Sequence, residues 1–88
     1  MNAYLVSYDL RKPGRDYEEL YKYLKGMPYW GHPLESVWIV ESSSSAKEIR
    51  DELRARVDDG DGVLVVQSAR IAAWRNVNCS DQWLKDHV

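Results

Sequence analysis

Strand-like and helix-like stretches alternate along this chain in an order that few folds accommodate: strand, helix, short strand, strand, helix, strand, then a tail. The first strand is Ala3-Tyr4-Leu5-Val6-Ser7-Tyr8-Asp9-Leu10, whose Val, Leu and two Tyr favour extended backbone. Behind it the loop Arg11-Lys12-Pro13-Gly14-Arg15-Asp16 ends the strand, because Pro lacks an amide donor and Gly has a free φ. Tyr4, Val6 and Tyr8 share one strand face and Leu5, Ser7 and Asp9 the other, so some of these rings must pack on helices.

Asp16 with Glu19 has the spacing of a capping box, and Tyr17, Leu20, Tyr21 and Leu24 then form one apolar stripe, which predicts a helix over 17–25. Gly26 and Pro28 stop it. Tyr29 to Leu34 reads as a brief edge strand, since Pro33 cannot donate to a ladder. Ser36-Val37-Trp38-Ile39-Val40-Glu41 is a strand whose consecutive apolar residues call for cover on both faces, helices on one and a partner sheet on the other. Ser45-Ala46-Lys47-Glu48 repeats the capping-box pattern, and Ala46, Ile49, Leu53 and Val57 carry a second helix over 46–57, with Glu52 and Arg56 placed to pair. Asp58-Asp59-Gly60-Asp61-Gly62 reads as a solvated turn, too short for a calcium loop. Val63 to Ala69 is expected to be a buried strand, and Arg70 to Trp74 either extends it or forms another. Ser80 caps a short terminal helix presenting Trp83 and Leu84.

This order is the split pattern of an α+β, ferredoxin-like βαββαβ sandwich: an antiparallel sheet with two helices on one face, plus a C-terminal strand or helix tail from about residue 70. Eighty-eight residues make a single domain spanning 1–88, with a real but not generous core. The sheet's other face would be bare in a monomer. Burying it, or adding a tail strand to a neighbour's open edge, is a physical motive for a homodimer.

The same residues restrict the chemistry. The single cysteine, Cys79, excludes an internal disulfide and a cysteine-built zinc site, which suits a cytoplasmic protein. No apolar run approaches membrane-spanning length, and the pattern of a signal peptide is missing. A net charge of −2 counts against a dedicated nucleic-acid binder, though not against a local basic patch. His32 and His87 have no Ser or Cys partner for a nucleophilic triad, and there is neither a GxxxxGK(S/T) nor a GxGxxG loop.

What remains is Asp9 beside Arg11, Lys12 and Arg15. Magnesium (Mg2+) takes one or two carboxylates and completes its shell with water and substrate phosphates. One Asp9 per chain is a poor site; two across a two-fold axis make a better one, with Arg11, Lys12 and Arg15 to hold the phosphates of RNA or DNA. The plain alternative is a solvated strand end whose Asp9 is neutralised by Arg11 or Arg15. Tyr4, Tyr8, Trp30 and Trp38 could stack on bases, but a core or interface role competes.

Tyr4-Leu5-Val6-Ser7-Tyr8-Asp9-Leu10, an arginine-bearing loop, and Ser36-Val37-Trp38-Ile39-Val40 ahead of the second helix resemble the small CRISPR-associated protein number two. More closely they resemble its stand-alone SinR-like relatives, in a wider group that includes virulence-associated protein D, a toxin ribonuclease. The resemblance implies a ferredoxin-like homodimer in which Asp9 is the strand-end Asp that binds magnesium at the two-fold axis and activates water for phosphodiester cleavage. Arg11 and Arg15 stand roughly where the CRISPR members place basic residues, while the Pro13-Gly14 loop and the acidic balance depart from them. The resemblance leaves two functions open, a metal-dependent endoribonuclease or nuclease, and a non-catalytic dimeric module that binds a protein or nucleic-acid partner.

Overall fold

The central strand is the one that the sequence announces first. In the computed structural model, which describes residues 1–88, β1 (Asn2–Asp9) runs through the sheet interior. Helix α1 (Glu18–Lys25) follows, then β2 (Tyr29–Leu34), β3 (Val37–Ser42), helix α2 (Ala46–Arg54), β4 (Gly62–Gln67) and helix α3 (Asp81–His87). The four strands form one antiparallel sheet in the order β2-β3-β1-β4. Each of the first two helices therefore crosses between two strands of like direction with a third strand inserted between them. Crossovers of one hand put both helices on the same face.

That face holds the core. Tyr4, Val6 and Tyr8 of β1 and Trp38 and Val40 of β3 meet Leu20 and Leu24 of α1 and Ile49 and Leu53 of α2 in one buried cluster. The period-two alternation of β1 places these rings inward, as expected, so Tyr4, Tyr8 and Trp38 are core residues and cannot stack on bases. Two buried hydroxyls keep partners: Tyr4 Oη donates to the Ser44 carbonyl at 2.7 Å, and Tyr8 Oη donates to that of Glu35 at 3.2 Å.

The helix starts differ in how they are capped. At α2 the expected box forms, Ser45 Oγ accepting from the Glu48 amide at 3.1 Å and Glu48 Oε1 from the Ser45 amide at 2.9 Å. This pulls the Glu48 carboxyl below its usual value. At α1 the box is absent. Tyr17 occupies the cap position, Asp16 Oδ1 accepts only from the Glu18 amide, and Glu19 turns to Lys22. Helix α2 also ends at Arg54, three residues short of the expected 57; the chain continues as turns in which Arg56 still pairs with Glu52 at 2.6 Å.

The second face of the sheet corrects three expectations. It is not bare: α3, capped by Ser80 as expected, lies over β2 and β3 and buries Leu84. The cover that β3 requires thus comes from the chain's own tail, so no partner sheet is needed there. No strand forms over residues 70–74, because the chain turns back through left-handed Arg70 (φ 64°) and Asn76 (φ 56°), and the Asn78 amide caps the Pro33 carbonyl at the edge of β2. Nor is β4 a buried strand. It ends at Gln67 and lies at the sheet edge beyond the reach of α3, leaving Leu64 57% and Val66 48% exposed. An apolar run signals a strand, but its place in the strand order decides how far it is buried.

The docking of α3 depends on a glycine. A Cβ at Gly31 would sit 2.5 Å from Cζ3 of Trp83 and 2.8 Å from Cη2. Gly31→Ala is expected to push Trp83 outward at a cost of about 1–2 kcal/mol. Trp83 fluorescence and proteolysis of the tail would detect the change, and an unchanged tail would show that the ring has room to shift.

Candidate functional site

Antiparallel pairing of β1 with β4 sets Asp9 opposite Gly62, which brings the loop 10–16 beside the turn 58–61. Asp9 follows Leu5 and Ser7 on the second face, at the half of the sheet that α3 leaves open. Its side chain is 69% exposed and lies between two shallow depressions. One, of about 240 Å3, is lined by Ser7, Tyr8, Asp9, Gly62, Val63 and Leu64; the other, of about 220 Å3, includes Tyr21, Glu35 and Ser36.

Of the three expected cations, only Arg11 meets Asp9. Its Nε donates to Asp9 Oδ2 at 2.9 Å, while Nη1 donates to the Gly60 carbonyl at 2.9 Å. Arg15 is drawn away to an ion pair with Asp58, and its guanidinium lies 5.1 Å from the Tyr17 ring centre. Lys12 is exposed and makes no ion pair. The basic loop is thus split, with Arg11 bound to the candidate carboxylate and Arg15 bound to the turn.

The organising residue of this corner is Asp61, which is not a solvated turn residue but a half-buried acceptor for three donors. Asp61 Oδ1 accepts from the Arg11 amide at 2.7 Å; Oδ2 accepts from the Tyr17 hydroxyl at 2.8 Å and the Asp58 amide at 2.9 Å. Partial burial would raise its pKa, but the two amides and the hydroxyl hold the carboxyl below its usual value. Burial, reinforced by the bond to Asp61, pushes the Tyr17 phenol up. The signal for Asp61 was a long-range one: only after β1 and β4 are paired does an Asp next to Gly62 fall beside the residues following Asp9.

As a donor set for a hard divalent cation, one chain supplies too few free carboxylate oxygens. Asp9 offers one carboxylate with Oδ2 already held by Arg11, both oxygens of Asp61 are taken, and no group of three or more His, Cys, Asp and Glu gathers to hold a metal ion. The chain alone does not fit a resident metal.

The remaining candidate groups lie elsewhere. His32 stacks on Trp38 with centroids 4.0 Å apart, and His87 binds Glu41; neither approaches Asp9's loop through any hydrogen bond. Cys79 sits half-buried beside His32, its thiol pushed up by burial. No helix is long and apolar enough to cross a membrane. No family model, curated protein or solved structure matches the chain.

The class that fold and site define is therefore a small α+β domain with a strand-end carboxylate on a half-open sheet face.

Proposed function

We propose that the chain is a ferredoxin-like, CRISPR-protein-two-like cytoplasmic homodimer and a metal-dependent endoribonuclease or nuclease whose site is completed by two Asp9 residues. The observation that carries this reading is the position of Asp9: an exposed carboxylate at the end of β1, next to exposed Leu64 and Val66 on the part of the sheet that the tail leaves uncovered. Apposing two such half-faces about a two-fold axis would bury the apolar residues and bring the two carboxylates together. The pair would hold one magnesium ion, which supplies charge neutralisation at a phosphate and a more acidic water. Arg11, already fixed by the Asp9 carboxylate and the Gly60 carbonyl, would present its remaining Nη2 to a phosphodiester. Lys12 adds an unpaired cation from the same loop.

The test is Asp9→Asn, which keeps the shape and removes the charge. Magnesium-dependent cleavage of RNA or DNA is expected to fall by about 10²-fold or more, while the dimer, measured by light scattering, persists. Cleavage at the wild-type rate would take Asp9 out of the mechanism. The ion pair with Arg11 favours a second reading, a non-catalytic dimeric module that binds a protein or nucleic-acid partner. A dimer that cleaves no RNA or DNA in magnesium would support it.

A further inference from the structure

The outer edge of β4 is open. The strand pairs only with β1, and the Ser68 amide donates to the Ala3 carbonyl at 2.8 Å, which fixes the phase of the ladder. Bonded and non-bonded pairs alternate along antiparallel strands, so Gly62, Leu64 and Val66 bond inward to β1, while Val63, Val65 and Gln67 turn their amides and carbonyls outward. No Pro, charge or bulge guards this edge, the usual protections of a strand that must stay unpaired.

Alongside it runs a flank of α2 of one sign. Lys47, Arg50 and Arg54, at i, i+3 and i+7, are exposed on one helix face. A groove of about 300 Å3 joins Ala46, Lys47 and Arg50 to Val63, Leu64 and Val65, and a second of about 580 Å3 continues past Arg54 to Gly62. Lys47 and Arg54 make no ion pair in the chain, and Arg50 reaches only its exposed neighbour Asp51 at 2.9 Å. Asp58, Asp59 and Asp61 line the far end of the second groove, whereas the charged residues lining the first, Lys47 and Arg50, are both cations.

The geometry points to the β4 edge as a docking site for an extended acidic segment of a partner protein, which joins the sheet as a fifth strand. An incoming strand makes its ladder bonds with Val63, Val65 and Gln67 and alternates its side chains. One set lies over the α2 flank, where carboxylates meet Lys47 and Arg50, and the other points to the second face beyond the row of Leu64 and Val66, where apolar groups extend the surface that the proposed dimer would bury. A second copy fits less well on this edge. Two-fold pairing of β4 with itself sets both α2 helices on the same side of the joined sheet and their cationic rows next to one another. A single-stranded nucleic acid would use the cations but leave the outward amides and carbonyls without a ladder.

The probe is a capped nine-residue peptide alternating Glu and Val, titrated against the whole protein by isothermal calorimetry and amide hydrogen exchange. Binding that slows exchange at Val63, Val65 and Gln67, and that weakens at least tenfold in the double variant Lys47→Glu, Arg50→Glu, is expected. Both substitutions lie on the exposed helix surface, and circular dichroism of the variant confirms the fold. A Lys and Val peptide binding equally well, no protection at those amides, or preferential binding of a single-stranded oligonucleotide to the same flank would each overturn the assignment.

Discussion

Trp38→Ala is expected to lower the unfolding free energy by about 3–5 kcal/mol, the range for emptying a buried aromatic site. Trp38 is among the largest fully buried side chains, and its indole is held on every side. His32 stacks on it with centroids 4.0 Å apart, Trp30 tilts against it at 5.4 Å, and Tyr21 lies nearly parallel at 6.4 Å. Its Nε1 donates to the Tyr8 hydroxyl at 2.9 Å, so truncation also strips the buried Tyr8 oxygen of a donor. The stability of such a domain is typically about 5–15 kcal/mol, so the variant would lose a large part of it. Urea unfolding followed by circular dichroism measures the loss as a fall in midpoint at constant m. Trp38→Phe, which keeps a ring and removes the N–H, should lose less. A loss below about 1 kcal/mol for Trp38→Ala would show that the aromatic cluster does not anchor the sheet to α1.

Glu41→Ala is expected to release the tail, at a cost of about 3 kcal/mol for losing charge-assisted bonds at a buried carboxylate. Glu41 lies on the second face of β3 under α3. Its Oε1 accepts from Arg70 Nη2 at 2.9 Å and its Oε2 lies 3.0 Å from His87 Nδ1, which donates because a carboxylate can only accept. Arg70 Nη1 also donates to the His87 carbonyl at 3.3 Å, and the His87 ring stacks on Tyr29 at 4.7 Å and tilts against Trp83 at 4.6 Å. This one carboxylate thus ties the start of the tail, its end and the sheet together.

The pH dependence of this tie has a definite sign. Burial would raise the pKa of Glu41, but the bonds from His87 and Arg70 outweigh it and hold the carboxyl below its usual value. A carboxyl depressed by folding stabilises the fold fully above the unfolded pKa, about 4.3, and that stability disappears as pH falls through the lower, folded value. Acidification below about 4 should therefore loosen α3 in the wild type. In Glu41→Gln the tail should be loosened already at neutral pH and show little further change. Amide exchange in residues 81–87, followed across that range, reads both states. A tail equally protected in wild type and Glu41→Ala would show that Leu84 and Trp83 hold it without the ionic tie.

Much of the fold was legible in residue order. The apolar alternation of β1, the capped stripe of α2, the edge character imposed on β2 by Pro33 and the Ser80 cap of α3 are local features, set by propensity and period within a few residues. The candidate carboxylate was also legible, because Asp9 stands where a β-favouring run meets a turn. Its neutralisation by Arg11 was one of two pairings open, and Arg15 went instead to Asp58. The choice depended on how two loops meet, and neither loop encodes the other.

What the chain specified by itself was therefore the set of elements and the inward faces of its core strands, because backbone preference and hydrophobic period act over neighbouring residues. Tertiary structure alone decided that β4 lies at the open edge, which half of the second face the tail covers, and that Asp61 gathers Tyr17, Asp58 and Arg11 into one corner. Each of these is a contact between segments distant in sequence, and its partner exists only once strands far apart along the chain have paired in register.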